Sequence, residues 1–105
     1  MNEMDIGAVE RLMAKIVEGF RPEKILIFGS YAAGEAGPES DLDIVIIKEG
    51  SERPMIRRRR VLELLKGSGI PKDIFVLTPE EFEEDKDEVG TIAYEANHFG
   101  KVVYG

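Results

Sequence analysis

The sequence predicts an α/β fold of the α+β kind, a mixed β-sheet with helices packed on it, as one domain over residues 1–105. Three observations predict it. Apolar residues recur at helical spacing near the N-terminus, short aliphatic runs alternate with helix-patterned segments, and turn or cap residues fall between them. A length of 105 residues, against roughly 150 per domain, leaves no room for a second unit. A chain of this size buries about 65% of its unfolded surface, and at 43% hydrophobic it can build a core without covalent staples.

The elements follow in order. Over residues 6–20, Ile6, Val9, Leu12, Met13, Ile16, Val17 and Phe20 are spaced by threes and fours, the stripe of an amphipathic helix. Asp5 is its expected N-cap, and Arg21-Pro22 ends it, because proline disfavours helical geometry in the residue before it. Residues 24–28 (Lys-Ile-Leu-Ile-Phe) read as a buried strand stopped by Gly29-Ser30, with a short helix over 31–33 and a loop over 34–40. Residues 41–48 form the clearest strand, and 54–66 a helix with Val61, Leu62 and Leu65 inward and Gly67 at its end. Residues 73–77 are a third strand. Thr78-Pro79-Glu80-Glu81 then has the composition of a helix start: Thr as cap, Pro in the first turn, Glu three residues after the cap. Residues 89–99 read as a helix ending at Gly100, and 101–104 as a short edge strand.

Composition excludes several classes. The absence of Cys removes disulfide frameworks, zinc ribbons and thiol chemistry, and suits a reducing cytoplasm. The first twenty residues carry charges throughout, so no signal peptide is expected, and no apolar run reaches the ~20 residues of a bilayer span. A net charge of −7 argues against a surface that grips long nucleic acid. The charge is uneven. Arg53 and the run Arg57, Arg58, Arg59, Arg60 carry five positive charges, which leaves −12 for the rest, and residues 80–88 hold seven carboxylates against one Lys. Four successive helical residues sweep about 300°, so the arginines cannot share one solvated face. At least one is expected to lie along the protein or meet an acidic partner, residues 80–88 being the candidate. His98 is expected to be structural or exposed, and Tyr94 and Phe99 to be core residues rather than a base-stacking platform.

Two segments carry chemistry. Gly29-Ser30 directly follows a buried strand, and Gly34 lies four residues on. Glycine lets the backbone turn sharply, free N–H groups at such a turn attract anions, and the Ser30 hydroxyl adds a donor. In Ser40-Asp41-Leu42-Asp43 the two aspartates, two residues apart on a strand, share a face with Cα atoms about 6.5–7 Å apart. Carboxylates so placed converge on hard cations. Asp73 opens the next core strand and joins them if that strand lies alongside. Without a cation such a cluster repels itself and raises at least one carboxyl pKa. With two magnesium ions, three carboxylates leave a positive site for a triphosphate, which reconciles an acidic protein with an anionic substrate.

Gly29-Ser30-Tyr31-Ala32-Ala33-Gly34, a short loop, then Ser40-Asp41-Leu42-Asp43 and an aliphatic strand resemble the signature of the polymerase-beta-type nucleotidyltransferase superfamily, Gly-Ser-x-Ala-x-Gly followed by Ser-Asp-x-Asp. At roughly 5–7% per residue type, matching Gly29, Ser30, Gly34, Ser40, Asp41 and Asp43 by chance has a probability on the order of 10⁻⁶ to 10⁻⁵. The short chain, with residues 73–82 at its back, is similar to the minimal nucleotidyltransferase branch, which includes antitoxins paired with HEPN-domain toxins. The resemblance implies a nucleotidyltransferase fold. It implies that Gly29, Ser30, Gly34 and Ser40 bind the nucleotide, and that Asp41, Asp43 and Asp73 form the metal-binding catalytic triad. The implied metal is two Mg²⁺ ions, with Mn²⁺ also suited, and Asp73 is the implied activator of the attacking hydroxyl. It implies transfer of a nucleoside monophosphate, AMP from ATP, with release of pyrophosphate, onto a HEPN-type partner. Many members carry Arg where this chain has Ala33. The competing reading is an antitoxin of the same fold that acts by contact alone. Oligomeric state is not legible.

Overall fold

The computed structural model describes residues 6–35 and 40–105. Along them run α1 (Ile6–Phe20), β1 (Lys24–Phe28), α2 (Ser30–Ala33), β2 (Leu42–Ile47), α3 (Pro54–Leu64), β3 (Lys72–Leu77), α4 (Pro79–Asp85), α5 (Ile92–Phe99) and β4 (Lys101–Tyr104). The strands form one sheet in the order β3-β2-β1-β4. β1 lies antiparallel to both β2 and β4, while β2 and β3 are parallel. A parallel pair needs a crossover rather than a hairpin, and α3 lies in the connection from β2 to β3. The sheet is therefore mixed, as the sequence predicts.

Period-two alternation in the strands feeds two cores. Leu42, Ile44 and Ile46 of β2, Ile74 and Val76 of β3 and Ile25 of β1 face Leu12 and Ile16 of α1 and Val61 of α3. On the opposite side, Leu26, Phe28, Val45 and Ile47 pack with Phe75, Phe82 of α4 and Ile92 and Ala96 of α5. Burying each of these apolar side chains contributes about 1.5–3 kcal/mol, so both faces of β1, β2 and β3 are strongly specified. β4 is exposed along its length.

The arginine run resolves into one buried side chain and three exposed ones. Arg57 is only 5% exposed. From α3 its guanidinium reaches past the free edge of β3: Nη1 donates to the Val76 carbonyl at 2.9 Å and to Glu81 Oε1 at 2.8 Å, and Nη2 donates to Glu81 Oε2 at 3.1 Å. Nε donates to the Glu52 carbonyl at 2.8 Å. Arg58 Nε donates to the Ile74 carbonyl at 3.0 Å. Two carbonyls that an edge strand would leave open are thus occupied, which blunts the edge against pairing with another chain. Glu81 also closes the expected capping box, accepting from the Thr78 N–H while the Thr78 hydroxyl accepts from the Glu81 N–H. One carboxylate therefore starts α4 and ties it to α3 across the sheet edge, and hydrogen bonding to Arg57 pulls the Glu81 pKa below its ordinary 4.5.

Several boundaries shift from the expected ones. β2 is one residue shorter at each end than 41–48, leaving Asp41 just outside it, and β3 begins one residue earlier, at Lys72. α3 stops at Leu64 rather than Lys66. α5 begins at Ile92, not at residue 89, because Gly90 takes φ 96° and the Thr91 hydroxyl caps the helix by accepting from the Tyr94 N–H. Phe99 is not a core residue: it is 63% exposed. The Asp5 cap expected for α1, and the middle of the loop over 34–40, lie outside the described residues. No helix among the described residues is long and apolar enough to cross a membrane.

Removing the Arg57 side chain leaves the Val76 and Glu52 carbonyls without a donor and frees Glu81. Arg57→Ala is expected to lower unfolding stability by about 3 kcal/mol in denaturant titration. Arg60→Ala, which breaks an exposed pair with Glu52, leaves the midpoint unchanged. Glu81 is held ionised in the fold, so its share of stability is complete above pH 4.5 and is lost as pH falls through its lower folded value. The gap between Arg57→Ala and the parent is expected to narrow below that pH.

Candidate active site

Sheet register decides where the acidic residues fall. In the antiparallel pair Phe28 lies opposite Asp43, and in the parallel pair Asp43 lies opposite Asp73. Neighbouring strands are ~4.8 Å apart, so Asp43 and Asp73 stand side by side. Both point to the face that carries Val45, Ile47, Phe75 and Leu77, since these follow at even spacing along the same strands. Asp41 is two residues before Asp43 and is exposed. Asp43 and Asp73 thus lie at one end of the sheet, on the face covered further along by α4 and α5, with Asp41 just beyond the end of β2.

Gly29 meets them from β1. It takes φ 75° and ψ −154°, a backbone region essentially closed to other residues. A Cβ there would strike Asp43 Oδ2, so the missing side chain is what lets the carboxylate lie against the turn. Ser30, half-buried, opens α2. Gly34 ends that helix at φ 76°, its N–H donating to the Tyr31 carbonyl at 3.2 Å. A Cβ on Gly34 would meet nothing within 4 Å, so its visible role is to stop the helix. The Tyr31 hydroxyl donates to the Ser40 carbonyl at 3.2 Å, pinning the turn after β1 to the segment leading into β2. Nothing in the sequence pattern marks Tyr31 for this role, because it occupies a variable position of the motif.

Burial, then the charges of Asp73 and Asp41, raise the Asp43 pKa above its ordinary 3.8. Burial is the larger cause; the smaller part is the mutual repulsion expected of neighbouring acids. Among the described residues no three Asp, Glu or His groups are drawn together tightly enough to hold a metal ion as they stand. Like charges lower their energy by turning apart, and Asp41, beyond the end of β2, is free to do so. The donor set nevertheless fits a hard divalent cation: it is all carboxylate oxygen, and a cation between Asp43 and its neighbours would relieve the repulsion that raises its pKa.

A family model described as a nucleotidyltransferase domain matches residues 9–103. The chain belongs to the nucleotidyltransferase domain family. The fold agrees: the crystal structure, at 1.40 Å, of a proposed nucleotidyltransferase from Sulfolobus solfataricus superposes with a TM-score of 0.56 at 28% sequence identity, covering 80% of this chain and 72% of that one. Among curated protein sequences none matches at a significant level. Nucleotidyl transfer is accordingly the reaction class of this nucleotidyltransferase, and divalent-metal use is general in its family.

His98, the lone histidine, is exposed in the last turn of α5. Its Nε2 is 3.0 Å from Asp87 Oδ1 and its ring stacks on Tyr94 at 4.2 Å, in keeping with the structural role expected of it.

Gly29→Ala is expected to destabilise the fold by about 2–3 kcal/mol, from its left-handed φ and from collision with Asp43. Truncating Asp43 in the same chain removes the collision and leaves the φ. Gly29→Ala with Asp43→Ala should therefore lose about 1 kcal/mol less than the two single changes added together, read by denaturant unfolding. Strict additivity would show that the carboxylate does not lie against the turn.

Proposed function

We propose that this nucleotidyltransferase moves a nucleoside monophosphate from a nucleoside triphosphate, ATP being the expected donor, to a hydroxyl of an acceptor protein. The acceptor in this reading is a HEPN-type toxin modified on a tyrosine, which would make the chain an antitoxin. What supports the reading most is the register that sets Asp43 beside Asp73, with the Gly29 turn packed against the Asp43 carboxylate. The −7 net charge speaks against addition to a nucleic-acid end.

Each residue then has a task. Gly29 and Ser30 receive the triphosphate through backbone N–H groups and the Ser30 hydroxyl, and Ser40 lines the approach from the other side of the Tyr31 tie. Asp41 and Asp43, with Asp73, would hold the divalent cations, two Mg²⁺ ions or Mn²⁺ in their place. When bound, such ions neutralise triphosphate charge and acidify the attacking hydroxyl. Asp73 takes the proton from that hydroxyl, its oxygen bonds to the α-phosphorus, and the bond to the β-phosphate oxygen breaks to release pyrophosphate. Positioning and charge compensation carry this reaction, which suits a domain that offers so little else.

Two observations favour a second reading, action by contact alone: among the described residues the three acids are not drawn into a ready cluster, and Ala33 stands where many members carry arginine. A single experiment separates the two. With the cognate partner, Mg²⁺ and ATP labelled at the α-phosphate, label is expected on the partner. The change of both Asp41 and Asp43 to Asn should cut the transfer rate at least a hundredfold and abolish neutralisation of the toxin. Neutralisation that survives the double change intact would establish contact alone and overturn the transfer reading.

A further inference from the structure

We propose that Phe99 is the platform on which the base of the bound nucleotide stacks, making the last turn of α5 a nucleobase subsite. The inference rests on the nucleotidyl-transfer reading of the acidic end of the sheet. It starts from an exposed aromatic ring: Phe99 is 63% exposed, steadied by an edge-on contact with Tyr94 at 6.1 Å and a tilted one with His98 at 6.4 Å.

The backbone ends α5 at the end of β1 from which the triphosphate turn departs. Lys101 lies opposite Ile27 in the β1–β4 pair; Phe99, the last residue of α5, and Gly29 each stand two residues beyond that pair. A Cβ on Gly100 would fall 2.7 Å from the Ile27 carbonyl oxygen. Glycine alone lets α5 end this close to β1.

Helix geometry sets the direction. Ala93 and Ala96 are buried toward the sheet, on the face from which Asp43 and Asp73 project. Asn97 lies on the flank of α5 that lines a cavity with Lys24, Ile47 and Phe82, at the end of the sheet away from the acids. Two residues on, Phe99 is turned about 200° from Asn97, which sets it on the flank toward the acidic end. A triphosphate seated at Gly29 and Ser30 would therefore direct its nucleoside along an accessible ring. Because every base has a π-face, a stacking platform tolerates any base and favours the larger purines.

The chain contains no Trp, so Phe99→Trp creates a sole fluorescent reporter at the proposed subsite. The parent, Phe99→Ala and Phe99→Trp are each titrated with Mg²⁺-ATP and with Mg²⁺-tripolyphosphate, which has the phosphates but no base. Phe99→Ala is expected to weaken ATP about tenfold, the loss of one base stack, and to leave tripolyphosphate unchanged. Phe99→Trp should bind ATP as tightly as the parent, its fluorescence quenched by ATP and not by tripolyphosphate. Equal ATP affinity in the parent and Phe99→Ala would overturn the subsite while leaving the triphosphate site standing. A parent that binds neither ligand would remove the underlying reading, and the subsite with it.

Discussion

Like charges at one end of a small sheet are the constraint around which this molecule is organised. Asp43 faces Asp73 across a parallel strand pair, with Asp41 two residues away, and a like-charge pair in such a position costs about 0.2–1 kcal/mol. The same register buries Ile44, Ile46, Ile74 and Val76, none more than 3% exposed, at about 1.5–3 kcal/mol each. The aliphatic core wins by a wide margin. A one-residue slip to separate the acids would turn every one of those side chains to the wrong face. The site is therefore held in an unfavourable electrostatic state by packing that has nothing to do with charge: burial first, and then the neighbouring carboxylates, raise the Asp43 pKa.

The rest of the fold closes around that end from several sides. Arg57 ties α3 to α4 past the edge of β3, fixing the strand that carries Asp73. Tyr31 bonds the turn after β1 to the segment before β2, so the two halves of the glycine-serine and aspartate motif move as one. Gly29 and Gly100 are the close approaches. One brings backbone against a carboxylate, and the other lets a helix end beside β1. Each device converts a local residue choice into the position of a group at the site.

Local features were legible in the sequence, and long-range ones were legible only through the motif. The stripe from Ile6 to Phe20 and the Thr78 capping box specify their elements by themselves, and both match the structure. The sequence pattern predicts that α5 starts at Val89, three residues before its observed start at Ile92. The left-handed Gly90 and the Thr91 cap override that pattern, and Val89 is left exposed. The arginine run required one buried member, but four identical residues do not say which; the edge of β3 selects Arg57. Likewise the pairing of Asp43 with Asp73 depends on strand order, which no local pattern encodes. The chemistry of Phe99 predicts a core residue, and its exposure follows from its place on the helix flank rather than from its identity.

Thermal unfolding of the parent and of Asp43→Asn, in chelator and then with Mg²⁺ or Mn²⁺, tests the electrostatic account most directly. Folded Asp43 holds its proton to higher pH than the unfolded chain does, so the parent loses stability as pH rises through that window. At neutral pH in chelator, Asp43→Asn should melt about 2–4 °C above the parent. Added cation should raise the parent's midpoint and leave that of Asp43→Asn nearly unmoved. A variant that melts at or below the parent in chelator, with both chains responding equally to the cation, would contradict the claim that these carboxylates are gathered under strain around a cation site.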